Sequence, residues 1–190
     1  FIVNGNLTGE LNGNLFAYCY NLRRVKLSNS STNLVTKING QAFAECSSLT
    51  EIKPMNFPLV TYIGDGCFKN CTSLEGDMVI GSVDSSCTFH SAKSCYGAFN
   101  NCKKLNSVTV KSRIAGDSIP KNYFNTCTNL KKLHFEHGVS TLGANFLYAC
   151  TSMRELYLPY RPTSIGSKSF SGVNARQMEI RVSRDDTGST

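Results

Sequence analysis

Short runs in which every second residue is apolar recur along the chain: Val25/Leu27, Ile52/Pro54, Met78/Ile80, Val108/Val110, Leu133/Phe135, Leu156/Leu158 and Ile180/Val182. Alternation this brief predicts short strands with one buried face. Each run follows a fixed frame. Phe16, Phe43, Phe68, Phe99, Phe124, Leu147 and Phe170 occupy one position. Three residues later stand Cys19, Cys46, Cys71, Cys102, Cys127, Cys150 and Val173, and three later again Leu22, Leu49, Leu74, Leu105, Leu130, Met153 and Arg176. Five residues before the Phe position lies a second apolar rung, Leu11, Ile38, Ile63, Ile119, Leu142 and Ile165, with Ser94 the exception. Successive ladder cysteines are 27, 25, 31, 25 and 23 residues apart.

Each repeat thus predicts a strand, a turn, a second rung and a tight turn carrying Phe and Cys. Asp65 and Ser167 near the start of that turn suit a single helical or 3₁₀ turn with a side-chain cap. A unit this small cannot bury its own apolar face, so it stacks on its neighbours. Between Leu74 and Phe99 the spacing swells, and residues 81–96 read as an insertion that leaves the solenoid at an edge or on the convex side.

The stretches VTKINGQAFAECSSLTEI at 35–52, VTYIGDGCFKNCTSL at 60–74 and LPYRPTSIGSKSF at 158–170 resemble the BspA-like leucine-rich repeat family. The resemblance runs over 11–182. It implies an α/β repeat solenoid, a right-handed leucine-rich repeat superhelix with a parallel β-sheet on the concave face and little helix. About seven coils of 23–27 residues are expected in a single domain over 1–190. Within it, 1–10 make an incomplete first coil, Phe1 to Val3 supplying a strand, and 183–190 form a tail. By the same resemblance the chain would be a secreted or cell-surface adhesion module, its partners being host, matrix or microbial surface proteins. A structural spacer within a larger surface protein is the alternative.

Composition changes this picture little. The formal charge of +7 is spread over a chain in which 17% of residues are charged, without the basic blocks of a nucleic-acid binder. No apolar run is long enough for a membrane helix, and the chain reads as a monomer. The ladder Cys19, Cys46, Cys71, Cys102, Cys127 and Cys150 reads as small buried apolar side chains. Cys67 takes a small-residue slot that Ala42 and Ala98 fill elsewhere. Cys87 and Cys95 bracket the insertion and are candidates for a disulfide closing a short loop.

No catalytic, cofactor or metal constellation emerges. His134 and His137 lie three apart near a strand, so alternation turns them to opposite faces. Cys87 and His90 have neither an orienting third group nor oxyanion donors, and no glycine-rich phosphate loop is present. The candidate partner-binding residues are the outward strand positions: Arg24, Lys26, Lys53, Thr109, Lys132, His134, Tyr157 and Arg181, with Tyr160 making an aromatic corner beside Tyr157.

Overall fold

The computed structural model describes residues 2–4, 7–28, 33–92 and 96–182. They form a solenoid of seven coils around one continuous apolar core. In each coil a back strand leads into the Phe–Cys turn, and the turn leads into a front strand. The back strands are Gly9–Leu11, Val35–Ile38, Tyr62–Ile63, Ser86–Phe89, Ser118–Ile119, Thr141–Leu142 and Ser164–Ile165. The front strands are Arg24–Lys26, Glu51–Lys53 continued by Asn56–Phe57, Gly76–Ile80, Leu105–Val110, Lys132–Phe135, Glu155–Leu158 and Glu179–Val182. Pairing between coils is parallel throughout, with one break on each side: Ser86–Phe89 pairs onward with the short extra strand Arg113–Ile114 and not with Ser118–Ile119, and Gly76–Ile80 pairs with Asn56–Phe57 and not with Glu51–Lys53. Ile2–Asn4 pairs with Arg24–Lys26 as the front strand of an incomplete preceding coil.

The repeated residues fill the interior column by column. Phe16, Phe43, Phe68, Phe99 and Phe124 stack face to face, with centroids 5.2–5.4 Å apart. Leu147 ends that stack, and Phe146 takes over with edge contacts to Phe124 and Phe170. The cysteines form a second column. The thiols of Cys46, Cys71, Cys102, Cys127 and Cys150 each donate to the Phe carbonyl of the coil before, at 3.0–3.1 Å. The main chain of the same turns bonds in the other direction. Phe43 N–H donates to Cys67 O at 2.8 Å, Phe68 N–H to Ala98 O at 2.8 Å and Leu147 N–H to Ser169 O at 2.8 Å.

The Phe–Cys turn is not the capped helical or 3₁₀ turn that the sequence suggests. Among the described residues the one helical element is the 3₁₀ turn Ala115–Asp117. Two left-handed residues fold each Phe–Cys turn instead. One column is Asn14, Gln41, Gly66, Gly97, Asn122, Asn145 and Lys168, and the other is Tyr18, Glu45, Asn70, Asn101, Thr126, Ala149 and Gly172. Inter-coil bonds from these residues, such as Glu45 N–H to Lys69 O at 2.8 Å, hold even tyrosine, threonine and alanine in a conformation they otherwise avoid.

Two departures concern the rungs. Pro54 is not the second inward residue of its coil. The strand bulges after Lys53, and Phe57, 1% exposed, fills that place opposite Ile80. Likewise the rung beside Ile63 is Phe89, which pairs with it, while Ser94, the residue that counting puts there, lies outside the described residues. The start of the insertion is therefore a back strand inside the sheet, and the extra length of the coil follows Phe89. Cys87 faces inward on this strand as a buried free thiol, while Cys95, its proposed disulfide partner, lies outside the described residues, as do 93–94 and the tail 183–190.

Candidate functional site

Period-two alternation leaves one side chain in two pointing away from the core of every front strand. The register sets these in rows. Thr109 stands beside Val79 and His134, His134 beside Tyr157, and Tyr157 beside Arg181. The neighbouring row runs Asp77, Ser107, Lys132, Glu155 and Glu179. His134 and Tyr157 stack with centroids 4.3 Å apart and planes at 17°, both half-buried. Lys132 reaches Glu155 at 3.7 Å, and Arg181 reaches Glu179 at 2.9 Å. Asp77 accepts hydrogen bonds from Ser107 (2.6 Å) and Asn106 (2.7 Å), and these hold its carboxyl below the usual carboxylate range.

The remaining candidates occupy a separate block. Arg24, Lys26 and Lys53 lie on the three-stranded part of the front sheet, where Arg24 and Lys53 share Glu51 at 4.0 and 2.7 Å. Lys53 does not line up with Val79, because Asn56 takes that register position after the bulge. The bulge opens a cleft of about 400 Å³ between the two blocks, lined by Glu51, Lys53, Met55, Glu75 and their neighbours. Sequence reasoning missed this cleft, and its signal was Pro54, which cannot donate to a sheet ladder. Tyr160 makes no corner with Tyr157. Its ring packs on Gly138, so close that a Cβ there would sit 1.5 Å from a ring carbon.

Chemistry-bearing side chains are kept apart. His137 Nε2 bonds Val83 O at 2.9 Å, whereas His134 stacks on Tyr157. Cys87 points into the core, where burial pushes its thiol up to about 12, while His90 is exposed and packs on Tyr62. Among the described residues no group of three His, Cys, Asp or Glu is placed to hold a metal, and no helix is long and apolar enough to cross a membrane.

Thiol, Phe and Leu columns, parallel front strands and near absence of helix define the architecture, and the sequence pattern matches it. A model of the BspA type leucine rich repeat region fits residues 9–114 and 92–188, in six copies. The chain belongs to this family. Among solved structures, this BspA-type chain is similar to a leucine-rich repeat protein from Bacteroides ovatus, with 19% identity and a TM-score of 0.46 over 92% of this chain and 57% of that one. It is similar to the T. pallidum leucine rich repeat protein, with 20% identity and a TM-score of 0.46 over 80% of this chain and 81% of that one. A leucine rich cell surface protein from Faecalibacterium prausnitzii shares 20% identity with a TM-score of 0.28, over 92% and 72% of the two chains. The BspA-type chain thus spans 57% of the length of the Bacteroides ovatus protein. Comparison with curated protein sequences gives no match.

Proposed function

We propose that this domain is a non-enzymatic interaction module, at a cell surface or outside the cell, that holds a protein partner on the front sheet of coils 3 to 7. The observation that carries this reading is the stacked pair His134–Tyr157 beside Arg181, on the last three strands of an otherwise mostly polar strand face. Aromatic and arginine side chains are the usual anchors of protein interfaces, and tyrosine offers contact area at low entropic cost. Solenoids commonly bind through such a sheet face.

Surface plasmon resonance against immobilised matrix and microbial surface proteins tests it. A partner found this way is expected to bind at least tenfold more weakly to His134→Glu/Tyr157→Ala/Arg181→Glu. Undiminished binding by that variant refutes the face, and a domain that finds no partner at all favours the spacer.

A further inference from the structure

A second surface lies at the edge of the front sheet, where the chain leaves each Phe–Cys turn and enters its strand. In coils 4 to 6 this edge carries Lys103, Lys104, Lys131, Lys132 and Arg154, all exposed. Main-chain bonds place the row. Asn129 N–H donates to Lys103 O at 3.1 Å, Lys131 N–H to Asn106 O at 2.8 Å and Arg154 N–H to Lys131 O at 2.8 Å. Asn106, Lys131 and Arg154 are therefore equivalent positions on successive coils, spaced by one strand separation of about 4.8 Å. Lys132 has its ion pair with Glu155. Among the described residues, Lys103, Lys104, Lys131 and Arg154 have none, whereas on the strand face itself Arg24 and Lys53 share Glu51 and Arg181 has Glu179.

Beside the row opens a shallow cleft of about 650 Å³, lined by Lys104, Asn106 and Asn129, with Glu75 and Gly76 at its coil 3 end. Its lining is polar: the Lys104 ammonium, the amides of Asn106 and Asn129, and the Glu75 carboxylate at the coil 3 end. It contains no aromatic ring on which a nucleic-acid base could stack and no apolar anchor of the kind that centres a protein interface. Glu75 repels an anion from coil 3, and Asp77, bonded to Asn106 at 2.7 Å and within electrostatic reach of Lys131 and Lys132, shifts the favourable field toward coils 5 and 6.

We propose that this edge binds an anionic polysaccharide. Its sulfate or carboxylate groups sit on Lys104, Lys131 and Arg154, and its hydroxyls meet the amide-lined cleft. Lys131 and Arg154 stand one strand separation apart, comparable to the length of a single sugar unit, and Lys104 lies two residues earlier in its coil, level with Asn129, so a chain crossing the edge obliquely meets all three. The site is separate from the His134–Tyr157 face and does not depend on it.

The test is calorimetric titration of the whole chain with a heparin hexasaccharide, over a range of salt. Lys104→Glu/Lys131→Glu/Arg154→Glu is expected to bind at least tenfold more weakly, a loss of about 1.4 kcal/mol or more. Its slope of log affinity against log salt is expected to shrink by about two to three. The control Arg113→Glu/Lys121→Glu/Lys168→Glu changes net charge equally at exposed positions on other sides of the coils, and it is expected to stay within about threefold of the parent in affinity. Unchanged thermal unfolding checks that both variants fold. The proposal is overturned by a parent chain that does not bind the hexasaccharide, by equal losses in the two triple variants, or by single-stranded DNA of matched charge binding as tightly.

Discussion

Replacing Cys102 asks whether the thiol column is apolar filling or a set of working hydrogen-bond donors. Cys102 is 0% exposed, and its thiol lies 3.1 Å from Phe68 O. The same carbonyl also accepts from Cys71 N–H at 3.1 Å, so loss of the thiol leaves it with one partner. Cys102→Ala therefore loses the burial of one sulfur, about 1 kcal/mol, and one weak donor, about 0.5–1 kcal/mol. The sum of about 1.5–2 kcal/mol corresponds to a fall in melting temperature of roughly 3–8 °C for a chain of this size. Cys102→Ser is the sharper variant. A serine hydroxyl reaches toward the same carbonyl and can donate to it, so the serine form should be at least as stable as the alanine form in urea unfolding. In a purely apolar slot the order reverses, because a buried hydroxyl without a partner costs about 1–3 kcal/mol. A serine variant less stable than alanine by about 1 kcal/mol or more refutes the donor role.

Gly64 packs on the coil before it, and a Cβ there would lie 2.3 Å from Gly40 N; Gly64→Ala is expected to cost about 2 kcal/mol or more by spreading two coils, read as a lowered urea midpoint. The Tyr123 hydroxyl is buried with no hydrogen-bond partner among the described residues, so Tyr123→Phe should leave stability unchanged or raise it by up to about 1 kcal/mol. Burial lifts the thiols of Cys46 and Cys87 from 9.0 to about 12, and those of Cys67, Cys71 and Cys127 well up. Above pH 9 the unfolded chain releases these protons and the folded chain keeps them. Stability is thus fully present below about pH 8 and falls as pH rises toward 12, by up to about 1.4 kcal/mol per pH unit for each such thiol; a urea midpoint that is flat from pH 7 to about pH 10.5 contradicts the burial. In a native thiol-labelling assay, half-buried Cys19 should react before the seven buried cysteines Cys46, Cys67, Cys71, Cys87, Cys102, Cys127 and Cys150.

The columns were legible because stacking in register requires the same kind of side chain at the same place in every coil. Phe16 to Phe124 and Cys46 to Cys150 could be aligned by counting alone. Counting failed where the backbone absorbs extra residues. The bulge moves the inward role from Pro54 to Phe57, and the lengthened fourth coil places its rung at Phe89 rather than Ser94. The left-handed turn positions were hidden for another reason. Glycine and asparagine announce such backbone, but Tyr18, Glu45, Thr126 and Ala149 adopt it because neighbouring coils bond them there. At the candidate face, the rows through Thr109, His134, Tyr157 and Arg181 followed from period two. The split from Lys26 and Lys53, and the turn of Tyr160 onto Gly138, depended on local geometry without a repeat to read it from.

The inter-coil main-chain bonds from the Phe position and the second left-handed column of each turn point one way, as in Phe43 N–H to Cys67 O, Glu45 N–H to Lys69 O and Ala149 N–H to Ser171 O, each N–H reaching forward to a carbonyl of the following coil. Their peptide dipoles add along the rod instead of cancelling as they do in an antiparallel sheet. The solenoid therefore has a head and a tail. Coils can be inserted or deleted within it without changing its sense, because every junction makes the same demand. The N–H at the Phe position donates forward in each of the first six coils, so a coil stacking on the seventh at Phe170 continues the seam only if it offers carbonyls in the same sense. A coil turned end for end would set donor against donor. Extension of such an array, by its own chain or by another, is restricted to one orientation.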